Sequence, residues 1–95
     1  MEKLVQQCKA LGDPTRFAML KMLQDGELCV CEFAERLSLA QSTVSRHLSL
    51  LRAAGLVEAR KEGQWLYCRL PDTSEDASTS TLLGLVQDSN ADHSH

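Results

Sequence analysis

Residues 41–54 read Gln-Ser-Thr-Val-Ser-Arg-His-Leu-Ser-Leu-Leu-Arg-Ala-Ala, and Gly55 follows them. Three aliphatic side chains in this stretch recur at intervals of three or four residues: Val44, Leu48 and Leu51. That spacing places them on one face of an α-helix, and a glycine directly after such a run commonly marks the end of the helix. The stretch therefore predicts an amphipathic helix whose apolar face is anchored to a core.

The opposite face of this helix carries short polar side chains and one arginine: Ser42, Ser45, Arg46 and Ser49. Short side chains allow a helix to approach the bases in the major groove of DNA, and an arginine there reads guanine or holds a phosphate. Gln41 and Thr43 can add base or phosphate contacts near the start of the helix, and His47 can contact a phosphate. Because residues 41–54 also lack any carboxylate, this face predicts DNA reading rather than an ordinary solvated helix.

Three shorter helices are predicted upstream, over residues 2–11, 14–24 and 31–37. Asp13 is the expected N-cap of the second helix, and Pro14 stands in its first turn, where the missing N–H of proline costs nothing. The third helix is separated from the 41–54 helix by three residues. Two short helices at this separation form a helix-turn-helix unit.

Downstream, residues 56–61 and 64–70 alternate in the manner of strands around Glu62-Gly63, which predicts a β-hairpin. Three side chains near its tip are suited to contact the sugar-phosphate backbone of DNA: Arg60, Lys61 and Gln64. The predicted fold class is therefore mainly α with a small β-hairpin.

The distribution of charge supports a nucleic-acid partner, although the chain as a whole has a net charge of −3. Residues 36–69 contain six Arg or Lys side chains and only two Glu, whereas the segments on either side are acidic. A basic segment of this kind is a footprint for phosphate. Since one helix reads only a few base pairs, we expect two copies of the chain on an inverted repeat in double-stranded DNA.

Residues 27–32 read Glu-Leu-Cys-Val-Cys-Glu and place two thiols one residue apart, where the first helix of the helix-turn-helix should begin. Paired thiolates bind soft metal and metalloid ions, and the N-terminus of a helix favours the thiolate. On a regular helix Cys29 and Cys31 would point about 200° apart. With metal–sulfur bonds of about 2.3 Å, they share an ion only if the first turn is unwound or extended. Ion binding is therefore expected to distort the start of this helix and to move the DNA-reading helix behind it.

Four segments together resemble the ArsR/SmtB family of metal-sensing repressors, and they occur in the family's order and spacing. They are residues 13–16 (Asp-Pro-Thr-Arg), 27–32, 41–48 and 51–57 (Leu-Arg-Ala-Ala-Gly-Leu-Val). The resemblance implies a winged helix-turn-helix homodimer that occupies an operator and leaves it when an ion binds. It also implies that the first and last helices form the dimer interface, for which the candidate residues are Leu4, Cys8, Leu11, Leu82, Leu85 and Val86.

Within that resemblance, the Cys-x-Cys pair corresponds to the family's arsenite and antimonite site, which some relatives use for cadmium or lead. Ala34 stands where the arsenic site often has a third cysteine, and Ala40 stands where a capping serine is usual. The missing cap costs about 0.5–2 kcal/mol. Trivalent arsenic prefers three sulfurs, but the Cys-x-Cys pair supplies only two. We therefore expect Cys29 and Cys31 to bind it with hydroxide or a small thiol in the third position. Cys8 is the next candidate for the third ligand, ahead of Cys68.

Two other functions stay open. The same fold could sense cadmium, lead or thiol oxidation, and a Cys-x-Cys thiol-disulfide enzyme is an alternative from a different class. The sequence lacks the βαβ pattern expected of such an enzyme, and an enzymatic function would leave the DNA-reading face unexplained. The sequence therefore predicts a regulator that is not an enzyme and has no permanently bound cofactor.

The remaining expectations concern organisation and location. We expect one domain over residues 1–87 and a disordered tail over residues 88–95, in which Asp92, His93 and His95 are solvated rather than metal ligands. The chain shows neither an apolar signal-peptide core nor the roughly 20 apolar residues of a membrane helix. A cytoplasmic protein without membrane contact is expected, with its four cysteines as reduced thiols.

Overall fold

The computed structural model describes residues 2–89, which form five α-helices, one 3-10 turn and three strands. In chain order they are α1 (Glu2–Leu11), α2 (Pro14–Met22), the 3-10 turn (Leu23–Asp25), β1 (Leu28–Cys29), α3 (Val30–Leu37), α4 (Gln41–Ala53), β2 (Glu58–Glu62), β3 (Trp65–Arg69) and α5 (Ala77–Asp88). None of the helices over residues 2–89 has the length and apolar character that crossing a membrane requires.

The helices that the sequence predicted upstream of the hairpin are confirmed. The carboxylate of Asp13 accepts a hydrogen bond of 3.0 Å from the backbone N–H of Arg16, and Pro14 begins α2. Helix α4 begins at Gln41, as predicted, and its last helical residue is Ala53. Its N-cap, Ala40, makes no side-chain capping bond, because alanine has no acceptor to offer.

A single core fixes the orientation of α4. Its aliphatic face is buried, as predicted, against large side chains from the neighbouring helices, and the members with no exposed surface include Met19, Leu20, Phe33, Val44, Leu51 and Leu56. Full burial of a side chain of this size contributes about 1.5–3 kcal/mol each. With that face held inward, the polar face of α4 is turned towards solvent.

The hairpin is part of a three-stranded antiparallel sheet in the order β1-β3-β2, which corrects the prediction of two strands. Leu28 pairs with Cys68, and Cys29 pairs with Tyr67. Strand β1 has only two residues, too few to show an alternating pattern, so only its partner in the folded chain defines it. Cys29 therefore lies on the sheet, directly before α3.

The last helix, α5, begins upstream of the predicted interface residues Leu82, Leu85 and Val86. It begins at Ala77, because the Asp76 carboxylate caps it by accepting from the Thr79 backbone N–H at 3.1 Å. Lys3 and Asp76 pair at 2.6 Å, and the buried Gln7 side chain donates to the Thr79 hydroxyl at 2.8 Å. These contacts fasten α5 to α1. The helix continues to Asp88, one residue past the predicted domain boundary, and Asp92, His93 and His95 lie outside the described residues.

Candidate functional site

The two thiols meet at the start of α3. Cys29 is the N-cap, with extended backbone angles of φ −77° and ψ 150°, and its sulfur accepts from the Cys31 backbone N–H at 3.3 Å. In return, the Cys29 backbone N–H donates to the Glu32 carboxylate at 3.0 Å. This is a capping box in which a cysteine occupies the position of the usual Ser or Thr.

The sulfurs of Cys29 and Cys31 are 2.7 Å apart, and all four cysteines of the chain are free thiols. An extended residue at the start of the helix brings them together, as the geometry required. No unwinding is needed to bring the sulfurs together, and the distortion of the helix start on ion binding stays a prediction. Cys29 belongs to β1 and the cap, so its side chain already points towards that of Cys31.

The Cys31 thiol is not primed as a thiolate in the way the sequence suggested. The hydrogen bond with Cys29 raises the pKa of Cys31, and burial and the nearby Glu32 carboxylate raise it further. These effects outweigh the favourable position near a helix N-terminus. Cys31 is therefore a protonated thiol at neutral pH, and an ion must displace its proton to bind.

A cleft of about 340 Å³ opens beside the two sulfurs. Its walls come from three parts of the chain, and its lining residues are Cys29, Val30, Cys31, Gln41, Ser45, Gln64, Trp65 and Leu66. The thiol segment, the start of α4 and the β2–β3 hairpin thus share one cavity. The sequence did not reveal this, because the three segments are distant along the chain and meet only in the fold.

The candidate third ligands lie elsewhere. Cys68 is fully buried in the core, where burial raises the pKa of its thiol. Cys8 is exposed on α1. The residues that α1 turns inward are Gln7 and Ala10, so Cys8 is not part of the core-facing side of this helix. Across residues 2–89, no three His, Cys, Asp or Glu side chains gather as the ligands of one metal ion would.

The polar face of α4 is open to solvent at five of the seven positions predicted to read DNA: Gln41, Ser42, Ser45, Arg46 and Ser49. Thr43 and His47 are half-buried. His47 lies with its Nδ1 3.3 Å from the guanidinium of Arg16, which also donates from Nε to the Ala10 carbonyl at 2.8 Å. The Asp-Pro-Thr-Arg segment therefore supports the inner edge of α4.

The side chain of Arg60 is hydrogen-bonded to acidic residues of the protein itself. It donates two hydrogen bonds to Glu27, at 2.8 and 2.9 Å, and a third to Glu62 at 2.9 Å, and its guanidinium lies 4.8 Å from the centre of the Tyr67 ring. These bonds lower the pKa of the Glu27 carboxyl. They tie the hairpin to the residue two positions before Cys29. Lys61 and Gln64, the other predicted hairpin contacts, are exposed.

The predicted dimer residues divide into two groups. Of the predicted residues, Leu4 is 41% exposed, Leu85 is 60% exposed and Cys8 is also exposed, while Leu11 and Leu82 are half-buried. Val5, which was not predicted, is 48% exposed beside Leu4. Val86 differs from its prediction because it is fully buried within the chain. With α5 fastened to α1 from Asp76 onward, Leu83 and Val86 form the inward stripe.

Comparison with known proteins agrees with this architecture. The family model for "Bacterial regulatory protein, arsR family" matches residues 13–59. An uncharacterized HTH-type transcriptional regulator of Methanocaldococcus jannaschii is 46% identical over 72 residues, which cover 75% of this chain and 81% of that protein. The arsenic resistance transcriptional regulator ArsR1 of Pseudomonas putida is 44% identical over 79 residues, which cover 82% of this chain but only 62% of that protein.

A solved structure shares the whole fold. It is the homodimeric winged helix-turn-helix DNA-binding domain of a possible ArsR-family regulator from Mycobacterium bovis. It superposes with a TM-score of 0.79 at 31% identity, over 99% of this chain and 83% of that one. The chain belongs to the arsR family of bacterial regulatory proteins and is a winged helix-turn-helix DNA-binding transcriptional regulator, not an enzyme.

Proposed function

We propose that this regulator is a homodimeric repressor that leaves its operator when trivalent arsenic or antimony binds Cys29 and Cys31. The observation that carries the proposal is the shared cleft, in which the two thiols stand beside the start of α4 and the β2–β3 hairpin. The similarity to an arsenic resistance regulator supports the choice of ion. Arsenite or antimonite is the effector, and no cofactor is permanently bound.

The binding step exchanges oxygen for sulfur on arsenic. Arsenite, As(OH)₃, loses two As–O bonds and gains two As–S bonds, and the two thiol protons leave with the two hydroxides as water. Arsenic stays trivalent and keeps its third hydroxide, or a small thiol replaces it. Two bonds of roughly 2.3 Å to one atom hold sulfurs about 3.3–3.8 Å apart. The side chains of Cys29 and Cys31 face each other at the start of α3 and can therefore share one arsenic atom.

The position of the two thiols gives a route from the ion to DNA. In the proposed mechanism the Cys29 sulfur that caps α3 becomes an arsenic ligand, and the arsenic enters a cleft whose far walls are α4 and the hairpin. A hundredfold loss of operator affinity requires about 2.8 kcal/mol. Only the difference between the effects of arsenic on the free and on the DNA-bound protein contributes to this, and the cleft walls include residues of the DNA-reading face of α4, where such a difference can arise.

DNA binding rests on α4 and the hairpin. Each protomer places the exposed face of α4 in the major groove, where Arg46 contacts a base, and Lys61 and Gln64 reach the backbone. The exposed apolar residues of α1 and α5 pair two protomers, so that two copies of α4 read an inverted repeat with half-sites about one helical turn, or a multiple of it, apart. The protein acts in the cytoplasm, where its operator and reduced thiols coexist.

The test is release of operator DNA during parallel titrations with arsenite, antimonite, cadmium, lead, zinc and hydrogen peroxide. Arsenite and antimonite should release the wild type at the lowest concentrations. Cys31→Ser should bind the operator normally and stay bound. Release of this variant at wild-type arsenite concentrations would place the switch elsewhere.

A second function, oxidation sensing at the same thiols, is favoured by one observation, the sulfur–sulfur contact of 2.7 Å. A peroxide would take up the two thiol hydrogens and leave a disulfide between Cys29 and Cys31. Peroxide-driven release, reversed by reductant and accompanied by loss of two hydrogens in the intact mass, supports this function. Release by arsenite alone excludes it.

A further inference from the structure

We propose that the ion pair between Glu27 and Arg60 transmits the state of the two thiols to the β2–β3 hairpin, which makes Glu27 a positioning residue for operator release. The inference rests on the proposed function, since it takes Cys29 and Cys31 as the effector site. It adds a side-chain contact that carries a change at that site to the hairpin, besides the cleft that the thiols share with α4.

The contact between Glu27 and Arg60 is bidentate. Nε and one terminal nitrogen of the guanidinium donate to the two carboxylate oxygens, at 2.9 and 2.8 Å. Two parallel hydrogen bonds fix the orientation of both partners as well as their distance. The Glu27 side chain is only 27% exposed, so solvent screens this pair less than an ordinary surface ion pair. A displacement of Glu27 is therefore passed on to Arg60.

The pair bridges all three strands of the sheet. Cys29 lies opposite Tyr67, and Tyr67 lies opposite Arg60, on β1, β3 and β2 in turn. Directly opposite residues carry their side chains on the same face of a sheet, and the Arg60 guanidinium lies 4.8 Å from the centre of the Tyr67 ring. Arg60 thus reaches across the middle strand to Glu27, two residues before Cys29. The two edge strands are joined although they are not neighbours in the sheet.

No other ion pair of residues 2–89 makes this connection. Arg60 with Glu62, at 2.9 Å, and Arg69 with Glu58, at 3.2 Å, stay within the hairpin. The remaining two pairs join α1 to the residue before α5 and lie within α3. Strand β1 itself offers only two residues for pairing with β3. Because this backbone attachment is short, the side-chain pair supplies a further attachment of the thiol-bearing segment to the hairpin.

An effector on the thiols can therefore reach the hairpin through Glu27. Binding changes what the Cys29 sulfur contacts, and Glu27 stands two residues away on the same short segment. Arg60 carries the change to β2, where the next residue, Lys61, is exposed near the hairpin tip. Since the operator favours one position of the hairpin, a shift of the hairpin lowers operator affinity. Cutting the pair should leave effector binding intact and weaken its effect on DNA.

The experiment measures the coupling between the two ligands. Operator DNA is titrated into the full-length protein with and without saturating arsenite, and the ratio of the two dissociation constants is the coupling factor. In Glu27→Gln this factor should fall about tenfold, since energies of this order couple residues in contact. Intact mass spectrometry should show wild-type loading with arsenite. Because each variant is compared with itself, any change in its operator affinity without arsenite cancels.

Two further variants separate the pair from the charges around it. Glu62→Gln removes a hydrogen bond of Arg60 that stays within the hairpin, and it should keep the wild-type coupling factor. Adding Arg60→Gln to Glu27→Gln should lower the factor no further, because the two residues act as a unit. A wild-type factor in Glu27→Gln, an equal loss in Glu62→Gln, or a further loss in the double variant overturns the inference.

Failure of the inference is distinguishable from failure of the proposed function. Release that arsenite causes in the wild type, that Cys31→Ser loses and that Glu27→Gln keeps in full refutes only the role of the ion pair. Release of Cys31→Ser at wild-type arsenite concentrations, or no release of the wild type, overturns the proposed effector site and the inference with it.

Discussion

Exchanging Cys29 and Cys31 for serine and for alanine should have opposite effects on stability at the two positions, although all four variants lose the response to arsenite. Cys29 is the N-cap of α3, and its side chain accepts from the Cys31 N–H. Serine is among the best N-cap residues and alanine among the poorest. Cys29→Ser should therefore be more stable than Cys29→Ala by about 0.5–2 kcal/mol.

Cys31 provides the matched control. It lies inside the first turn of α3 and caps nothing, so only helix propensity distinguishes its replacements. Alanine has the higher propensity, and Cys31→Ala should exceed Cys31→Ser by about 0.5 kcal/mol. The order of serine and alanine is thus reversed between two positions that are two residues apart.

Thermal unfolding at one fixed protein concentration is the assay, because the stability of a dimer depends on concentration. In a domain of this size, 1 kcal/mol corresponds to about 4–8 °C in Tm. Operator release by arsenite is measured on the same four proteins. If Cys29→Ala unfolds at the same temperature as Cys29→Ser or above it, Cys29 is not a cap and the route from ion to helix proposed above is refuted.

Three further predictions use contacts elsewhere in the fold. Glu27→Gln should weaken the hydrogen bonds that hold Arg60 and let its guanidinium reach a DNA phosphate. Operator affinity should then rise at low salt, and the plot of log affinity against log salt concentration should steepen by about one unit for each additional phosphate that the protein neutralises. An unchanged slope in anisotropy titrations contradicts this. Cadmium displaces thiol protons into solution, whereas arsenite returns them as water. Because Cys31 has a raised pKa, its thiol is protonated between pH 6 and 8, and cadmium affinity should rise about tenfold per pH unit for each proton released. Arsenite affinity should hardly change over the same pH range. Calorimetry in buffers of different ionisation enthalpy counts the protons released on binding. The hydrogen bond from Lys3, with those from Thr79, lowers the pKa of Asp76 to about 2. The ionised Asp76 carboxylate therefore stabilises the fold fully above the ordinary aspartate pKa near 4, and this stabilisation disappears as the pH falls through about 2. In urea unfolding between pH 2 and 5, the stability of Asp76→Asn should depend less on pH than that of the wild type.

The sequence predicted those parts of the fold that local patterns define. Helix α4 follows from three aliphatic side chains at helical spacing, and α2 from the Asp13-Pro14 start. Strand β1 could not be predicted, since two residues become a strand only by pairing with Tyr67 and Cys68. The start of α5 was missed because residues 76–80 have the composition of a linker. Its stability comes from contacts with Lys3 and Gln7, more than 70 residues away.

The candidate site shows the same division. Cysteine spacing identified the pair of thiols, and simple geometry required the extended residue that the structure has at Cys29. The pKa of Cys31 was misjudged because the sequence shows a helix N-terminus but not the sulfur that is hydrogen-bonded to it. The pairing of Arg60 with Glu27, 33 residues apart, was likewise hidden, and so was the cleft.

The position of the cleft constrains how the ion acts. An effector bound at a distant dimer interface would need a rearrangement that travels through the core to reach α4. Here the two sulfurs share a cavity with Gln41 and Ser45, which belong to the DNA-reading helix itself, and with the β2–β3 hairpin. Under the proposed function, the effector and the operator therefore act on the same two elements, and Gln41, Ser45 and Gln64 belong both to the cleft and to the proposed DNA-contacting surface. Coupling between two ligands is reciprocal, so the factor by which arsenic lowers operator affinity must equal the factor by which the operator lowers arsenic affinity. If arsenic releases the operator as proposed, the DNA-bound repressor must bind arsenic more weakly than the free dimer, and the concentration that triggers release is set by the DNA-bound state.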